Sequence, residues 1–283
     1  MYVNSLIGGG FMDIQFILKS AQDMIENSVY NYVSKDDAIS EDLVGMKIFE
    51  KPVFAVGDAN DEGFLLLKTP YAIGEHFIMP NEWLPGASSV ISFFLPFTDV
   101  IIKSNRKDKH WPSEPWLHGR IEGQRFIKEL SNYLISRIVE AGYNGIAPAL
   151  DSRFRSTTNE EADFNSFSSN WSERHVGYVC GIGTFGLSGG IITEKGMAGR
   201  LGSIVTTLKL EPDEKRYTQV YEYCTRCGAC VKKCPADAIS IETGKDHRKC
   251  SELLDITKVK YKPRYGCGKC QISVPCESRI PRK

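Results

Sequence analysis

The feature that most constrains this chain is a cluster of cysteines near its C-terminal end. Eight of the nine cysteines lie between Cys224 and Cys276, and only Cys180 lies outside that stretch. Thiolates at short, regular spacing are typical of metal ligands. The start of the chain shows no export signal, so we expect a cytoplasmic protein whose thiols stay reduced and form no disulfide framework.

The first four cysteines follow the spacing of bacterial ferredoxins. Two residues separate Cys224, Cys227 and Cys230 from one another, and Cys234-Pro235 follows after three more. In ferredoxins, three closely spaced thiolates hold one 4Fe-4S cluster and the fourth reaches another cluster. The pattern therefore predicts a 4Fe-4S module of the bacterial type.

The second group of cysteines departs from a simple repeat, because Ser273 stands where a third close cysteine would be. Cys250 is then needed to complete the ligands, and we predict two 4Fe-4S clusters. The first cluster has the ligands Cys224, Cys227, Cys230 and Cys276, and the second has Cys234, Cys250, Cys267 and Cys270. The alternative is one cluster plus a zinc site built by the second group, because tetrahedral zinc also accepts four thiolates.

The rest of the chain mixes helical and strand patterns. Apolar residues at 3.6-residue spacing predict helices, and short β-branched or aromatic runs predict strands. The helices are predicted at residues 13–30 and 121–141, and the strands at 52–56, 88–95, 190–193 and 203–210. This mixture predicts an α/β or α+β domain. The charged stretch 211–216 lacks periodicity, so we place the boundary there, between domains 1–215 and 216–283.

Charge and hydropathy exclude some classes of partner. The 35 basic side chains equal the 35 acidic ones, so no overall field attracts nucleic acid or an anionic membrane surface. No apolar run approaches the roughly 20 residues that span a bilayer. We therefore expect neither a membrane nor a nucleic acid as the main partner.

A glycine-rich segment, residues 181–186, reads G-x-G-x-x-G. A dinucleotide-binding fingerprint follows a strand and opens a helix, whereas here a helix-like run comes first and a strand follows. A tight turn, or a close approach of the backbone to a flat cofactor, is favoured over nicotinamide binding. Cys180, just before the segment, is interpreted as a small buried hydrophobe, with a cofactor-facing or catalytic thiol as the alternative.

Several segments together resemble a known family. Residues 172–186, 191–193 and 202–207, followed by the eight cysteines, look like the epoxyqueuosine reductase and reductive dehalogenase superfamily, and residues 84–91 are similar to an early strand of the same family. The resemblance covers roughly residues 84–276. It implies an α+β architecture, in which a nitroreductase-like α/β N-terminal domain holds cobalamin and a C-terminal bacterial-type ferredoxin domain holds two clusters.

The resemblance also implies a function. We expect an iron-sulfur oxidoreductase that takes electrons from an external donor, such as a ferredoxin or flavodoxin. The electrons pass through two clusters to cobalamin, for reductive chemistry on a small-molecule substrate. The alternatives are an electron carrier or activase that reduces the corrinoid of a partner protein, and a reductase that binds flavin instead.

The chain also departs from its family. The helical repeats of the tRNA-modifying enzymes and the twin-arginine leader of respiratory dehalogenases are not found in the sequence. Where the tRNA enzymes have an aspartate before a Glu-Arg pair, the spacing falls on Phe167, with Asp163 nearby. The substrate chemistry is therefore expected to differ from both named activities.

Three side chains are candidate catalytic groups, each with a structural alternative. His118, with Arg120 before the predicted long helix, can donate a proton or hold an anion, or belong to a surface capping cluster. Tyr143 can be a phenolic proton donor or a core tyrosine. Asp151 lies in a charged loop that either faces a cofactor or is solvated.

The cofactor is expected to contact the glycine-rich segment. Backbone amides of Gly181, Gly183 and Gly186 can reach a polar-edged ligand, and hydroxyls of Ser188 and Ser203 can add hydrogen bonds. None of the five histidines has the Asp-x-His-x-x-Gly arrangement of a histidine-on corrinoid site. The corrin is therefore expected to be held by its rim. Just before this segment, the adjacent Glu-Arg pair at 173–174 is predicted to form a salt bridge at a helix end.

Overall fold

A computed structural model describes residues 13–158 and 167–282 of the chain. The helices in these ranges are α1 (Ile14–Asn27), α2 (Glu62–Leu66), α3 (Pro80–Trp83), α4 (Asp99–Ser104), α5 (Glu114–Glu140), α6 (Glu173–Cys180), α7 (Ala229–Lys233) and α8 (His247–Lys260). The strands are β1 (Val53–Asp58), β2 (Ser89–Pro96), β3 (Gly145–Ile146), β4 (Ser156–Thr158), β5 (Phe167–Ser169), β6 (Gly183–Phe185), β7 (Ile191–Thr193), β8 (Gly199–Thr206), β9 (Ile239–Ser240) and β10 (Gly244–Lys245). None of these helices has the length and hydropathy needed to cross a membrane.

The central element is an antiparallel sheet with the spatial order β1-β2-β8-β3. Every residue of β2 is buried, which explains its continuous apolar sequence, because helices cover both faces of the sheet. On one face Ile91 and Phe93 pack in a core with α1 and α5. On the other face Val90 and Phe94 pack with α6, Trp83 and Trp171. The predicted mixed helix-and-sheet fold is confirmed.

The long helix α5 begins earlier than its apolar periodicity predicts. Ser113 caps it by accepting a hydrogen bond from the Trp116 amide at 3.3 Å, and Pro115 occupies the first turn, where its missing N–H is not needed. The segment that contains His118 and Arg120 therefore lies inside the helix and not before it. This corrects the predicted start at residue 121.

The glycine-rich segment does not form a dinucleotide-binding turn. Helix α6 ends at Gly181, whose φ of 98° is the left-handed conformation that favours glycine. The strand β6 follows, so the order is helix, glycine, strand. A dinucleotide-binding fingerprint has the opposite order, with the strand first and the helix last. Cys180, the last residue of α6, is buried in the core, with its sulfur 3.6 Å from the Val90 carbonyl oxygen. Its position agrees with the buried-hydrophobe interpretation.

The cysteine-rich segment packs directly on the sheet-containing part of the chain. A side chain at Gly268 would place its Cβ 1.9 Å from the Trp116 ring, so only glycine allows this contact. The Ala198 amide donates to the carbonyl oxygen of Glu277 at 3.0 Å. In the stretch 211–216, Asp213 exchanges backbone and side-chain hydrogen bonds with Val56 of β1. The division into domains at residue 215 stays a prediction.

Candidate functional site

The first set of cysteines surrounds a cavity beside helix α7. Cys224 and Cys227 line it from the loop before α7, Cys230 lines it from α7 itself, and Cys276 lines it from the C-terminal segment. The turn between β6 and β7 closes the opposite side. Burial raises the pKa of the Cys276 thiol to about 12, and its cysteine neighbours add to the effect. Burial and the neighbouring thiols thus disfavour the charged thiolate, and a bound cation would offset both effects.

The second set of cysteines surrounds another cavity. Cys234, Cys267 and Cys270 line it together with Cys250, which helix α8 supplies. The Ala238 amide donates to the sulfur of Cys234 at 3.3 Å. Burial raises the pKa of Cys267 to about 12 and also raises that of Cys270.

The structure thus brings together the two sets of four cysteines that the spacing predicts. Within the described ranges, no group of three or more Cys, His, Asp or Glu side chains is close enough to hold a single metal ion. The thiols of each set instead border a cavity. Iron binding by these sets stays a prediction.

A cleft of about 590 Å³ lies between the sheet and the second cysteine set. Its apolar wall includes Trp171, Phe154 and Leu201. One side of the cleft is also a side of the second cysteine cavity, and the residues lining both are Gly199, Arg120, Arg200, Lys245, Cys270 and Gln271. A group bound in the cleft would therefore lie next to whatever the second set holds.

Glu173, the first residue of α6, is the acidic group that lines the cleft in the described part of the chain. The Trp171 indole donates to the Ser203 hydroxyl at 2.9 Å, and Ser203 hydrogen-bonds to the Glu173 carboxyl group. The other oxygen of Glu173, Oε2, is buried and has no partner among the described residues. Burial raises the pKa of Glu173 to about 7, so a protonated form exists near neutral pH.

Arg174 does not pair with Glu173, and the predicted salt bridge between them is wrong for the described structure. The Arg174 guanidinium instead donates to the carbonyl oxygen of Gly189 at 2.7 Å. Burial lowers the pKa of Arg174, and the nearby Cys250 opposes this effect. Adjacent helix residues point about 100° apart, which explains why the pair separates.

Two of the five predicted cofactor residues line the cleft, namely Ser188 and Ser203. Ser188 also borders the cavity of the first cysteine set, so this short turn contacts both spaces. The serine part of the predicted site is therefore close to the cleft.

The three predicted glycines lie elsewhere, which corrects the expected contact. Gly181 ends α6, and Gly186 borders the first cysteine cavity. Gly183 lies in β6, where a Cβ would come 2.1 Å from the Ile192 carbonyl oxygen. Here glycine permits close strand packing and not the approach of a cofactor.

The three predicted catalytic side chains are not among the described residues that line the cleft. His118 is fully buried, with Nδ1 2.9 Å from Glu122 Oε2 and Nε2 accepting the Ile39 amide at 3.2 Å. Both of its ring nitrogens are therefore engaged in the core. The burial of His118 corrects the alternative that placed it in a surface capping cluster.

Tyr143 and Asp151 also lie outside the cleft. Tyr143 is exposed after the end of α5. Asp151 pairs with Arg153 at 2.8 Å, and this hydrogen bond lowers the pKa of its carboxyl group. Asp163, the possible substitute for the family aspartate, lies outside the described residues, whereas Phe167 is exposed in β5. Sequence reasoning missed Glu173, Arg200 and Lys245 as cleft residues, because no local pattern distinguishes them from surface charges.

Comparisons with known proteins agree with the cysteine pattern. The family described as "4Fe-4S binding domain" matches residues 217–240. A tetrachloroethene reductive dehalogenase of Desulfitobacterium hafniense is 43% identical over 63 residues, which is 22% of this chain and 11% of that protein. An epoxyqueuosine reductase of Vibrio cholerae is 28% identical over 220 residues, which is 71% of this chain and 53% of that protein.

The solved structures show the same fold. The catabolic reductive dehalogenase NpRdhA matches with a TM-score of 0.53 at 14% identity, over 81% of this chain and 30% of that one. The match thus spans about half of the epoxyqueuosine reductase and a smaller part of the dehalogenases. This chain is a relative of the epoxyqueuosine reductases and the reductive dehalogenases, within one superfamily, and it contains a 4Fe-4S binding domain.

Proposed function

We propose that this protein is an iron-sulfur reductase with two 4Fe-4S clusters and cobalamin in the cleft. The observation that carries the proposal is the position of Cys270, which borders both the second cysteine cavity and the cleft. When bound, the clusters supply single electrons and the corrin supplies a reducible cobalt centre. A corrin in the cleft would then lie next to a cluster held by the second set.

The cysteine sets have the donor chemistry that two clusters need. Each cavity is bordered by four thiols, and four thiolates is the usual ligand number of a 4Fe-4S cluster. A zinc site at the second set is the alternative, and metal analysis separates the two. In this proposal, residues 216–283 form the ferredoxin domain, and residues 1–215 form a nitroreductase-like domain.

The cleft has the size and lining of a cofactor site. Its volume of about 590 Å³ lies within the roughly 300–1,000 Å³ typical of pockets for drug-sized ligands, so cobalamin, which is larger, would occupy it with only part of its surface. Trp171 and Leu201 offer apolar surface, while Ser188, Gln271 and Lys245 offer hydrogen bonds to a polar rim. No histidine is among the described residues that line it. These features support a corrin held by its edges.

Glu173 is our candidate proton donor in the cleft. Reduction of an organic molecule takes up protons as well as electrons, and this carboxyl group holds a proton near neutral pH. Its Oε2 is buried without a partner among the described residues, so the carboxyl group would have to rotate to donate to a molecule in the cleft. Ser203, fixed by the Trp171 indole, holds the carboxyl group in place. Glu173 replaces His118, Tyr143 and Asp151 in this role.

The electrons come, in this proposal, from an external donor such as a ferredoxin or flavodoxin that reaches the first cysteine set. Cys227 of that set is exposed, so a donor can approach closely. The substrate that receives the electrons is, in this proposal, a small molecule. The alternatives with a flavin, or with a partner's corrinoid as electron acceptor, differ in what the cleft binds.

Cobalamin binding tests the proposal. Anaerobic protein should contain about eight irons and eight acid-labile sulfides, and added cobalamin should change its visible spectrum at micromolar concentration. Leu201→Trp should narrow the cleft and weaken this change without loss of iron, whereas Val220→Trp, at an exposed position, should change neither. Binding of flavin instead of cobalamin, or of neither, would refute the cobalamin mechanism.

A further inference from the structure

Two arginines from distant parts of the chain meet where three spaces join. Arg120 lies near the start of α5 and Arg200 near the start of β8. Both line the cleft and the second cysteine cavity, and both line an outer vestibule of about 410 Å³. Their side chains therefore stand at the boundary between the vestibule and the cleft.

The hydrogen bonding of these arginines is incomplete. Arg200 donates to the amide oxygen of Gln124, and the guanidinium of Arg120 lies 4.3 Å from the ring centre of Tyr265. Neither arginine pairs with a carboxylate among the described residues, and the Nε atom of each is buried without a partner there. Buried donors on a charged group favour an acceptor that the described protein does not provide.

The charges around the boundary point to the same conclusion. Burial, and then the positive charge of Arg120, lowers the pKa of Arg200 to about 10. The vestibule adds Arg125 and Lys128, and no Asp or Glu is among the described residues that line it. Arg125 pairs with Asp37 at 2.7 Å, which leaves three cations without a partner of opposite charge in this space. Such a cavity attracts anions.

Tyr265 completes the site from the cysteine-rich segment. Tyr265 lines the vestibule next to Arg120, whose guanidinium lies 4.3 Å from the centre of the Tyr265 ring. Arg120, Arg200 and Tyr265 thus offer donors from a helix, a strand and a loop. Rigid elements hold the two arginines, so little freedom is lost when an anion binds.

A cluster held by the second cysteine set is an alternative source of negative charge for the two arginines, because both also border its cavity. Lys128 and Tyr265, however, line the vestibule and do not border that cavity in the described structure. The cationic lining thus continues outward, away from the cysteines.

We propose that Arg120, Arg200 and Tyr265 bind the carboxylate or phosphate group of a small-molecule substrate at the mouth of the cleft. This inference rests on the proposed reductase function and names its substrate class. The remainder of the molecule would then extend into the cleft, toward Glu173.

Calorimetric titration of anaerobic, cluster-loaded protein with inorganic phosphate and with benzoate tests the site. Arg120→Gln and Arg200→Gln should each weaken binding about 10-fold or more, because each removes a charge-assisted hydrogen bond. Arg137→Gln is the matched control, since Arg137 lies on the same helix and pairs with Glu140 away from the vestibule. It should change binding less than about 2-fold.

Three results would overturn the proposal: no binding of either probe to the unsubstituted protein, equal binding by the arginine variants, or displacement of phosphate by cobalamin but not by cobinamide. The last result would assign the site to the phosphodiester of the cofactor. Equal binding by the variants together with a shifted cluster potential would assign the arginines to the cluster. Corrin binding is followed in the same samples by the visible spectrum, so its failure alone contradicts the proposed function and not the anion site.

Discussion

The two cysteine sets share one backbone plan but face different surroundings. Gly228 and Gly268 both follow a cysteine, and both have φ 71° and ψ 5°. Cys227, before Gly228, is exposed, whereas the loop of Gly268 presses against Trp116 and places Cys270 beside the cleft. Equivalent loops therefore do not have equivalent surroundings. Under the proposed function, electrons would enter at the exposed set and leave from the set beside the cleft.

The two sets also differ in how they are attached to the rest of the molecule. Lys269, in the second loop, is buried and donates to the Asn105 carbonyl at 2.7 Å and to the Asp108 carbonyl at 3.0 Å. Next to the first set, Glu277 pairs with Arg106. The second loop is thus held by buried hydrogen bonds and the C-terminal segment by a partly exposed ion pair.

Removal of single cysteines should give the largest difference between the sets. Cys270→Ser and Cys276→Ser should each lose about four of about eight irons. Cys276→Ser should damage the set of Cys224 and not the one adjacent in sequence, and Cys270→Ser should abolish electron delivery to added cobalamin. Iron and sulfide analysis with electron paramagnetic resonance measures this.

Cys180→Ser is the control for these variants, since that thiol lies in the core away from both cavities. It should keep the full iron content. Loss of the second cluster in Cys276→Ser would show that the ligand sets are crossed differently.

Alanine at the two equivalent glycines should separate backbone strain from packing. Both substitutions place a side chain at φ 71°, which costs about 1–2 kcal/mol. Gly228→Ala adds only a contact of 3.3 Å with Ile241, but Gly268→Ala brings Cβ within 1.9 Å of Trp116. Overpacking should add about 1–3 kcal/mol or more at Gly268.

Thermal unfolding of the cluster-loaded variants measures this difference. The midpoint of Gly268→Ala should fall well below that of Gly228→Ala. Equal midpoints would mean that the second loop moves away from the sheet at no great cost, and that its proximity to the cleft is not fixed by packing.

The cleft side should respond to pH through Glu173. The pKa of Glu173 in the folded protein, about 7, is above its ordinary value of 4.5. Its contribution to stability is therefore fully present below about pH 4.5 and is lost as the pH rises through about 7. Glu173→Gln should remove this dependence, so the variant should gain stability relative to the unsubstituted protein between pH 5 and 8.

Unfolding midpoints over that pH range provide the test. Glu62→Gln, an exposed acid in the first turn of α2, is the control and should keep the original profile. If the profiles of Glu173→Gln and of the unsubstituted protein ran parallel, the pKa of Glu173 would not be raised by folding.

The smallest expected effect concerns the ion pair beside the first set. Glu277 is buried and accepts hydrogen bonds from Arg106 and from the Ser273 amide. Glu277→Gln should destabilise by about 1–2 kcal/mol, because a charged acceptor becomes neutral. Asp99→Asn, which breaks the exposed pair with Lys103, should change stability by about 0.3 kcal/mol. Equal effects in chemical denaturation would contradict this difference in burial.

Local patterns predicted much of the fold. Apolar periodicity located α1 and most of α5, and β-branched runs located β1 and β2, because these signals depend on neighbours within one or two turns. The start of α5 was missed, since Ser113 and Pro115 set it by capping and not by periodicity. Gly183 was assigned to a cofactor because sequence does not show that Ile192 lies against it.

The sequence by itself indicated the 4Fe-4S binding domain of this protein. The spacing of the cysteines along a short loop limits where their sulfurs can lie. It therefore indicates a 4Fe-4S module without knowledge of the rest of the fold. The tertiary structure decided which side chains face the cleft. Arg120 and Arg200 are eighty positions apart in the chain, and the raised pKa of Glu173 comes from burial. Proximity and desolvation arise only when distant segments pack together, and for that reason no local pattern predicted them.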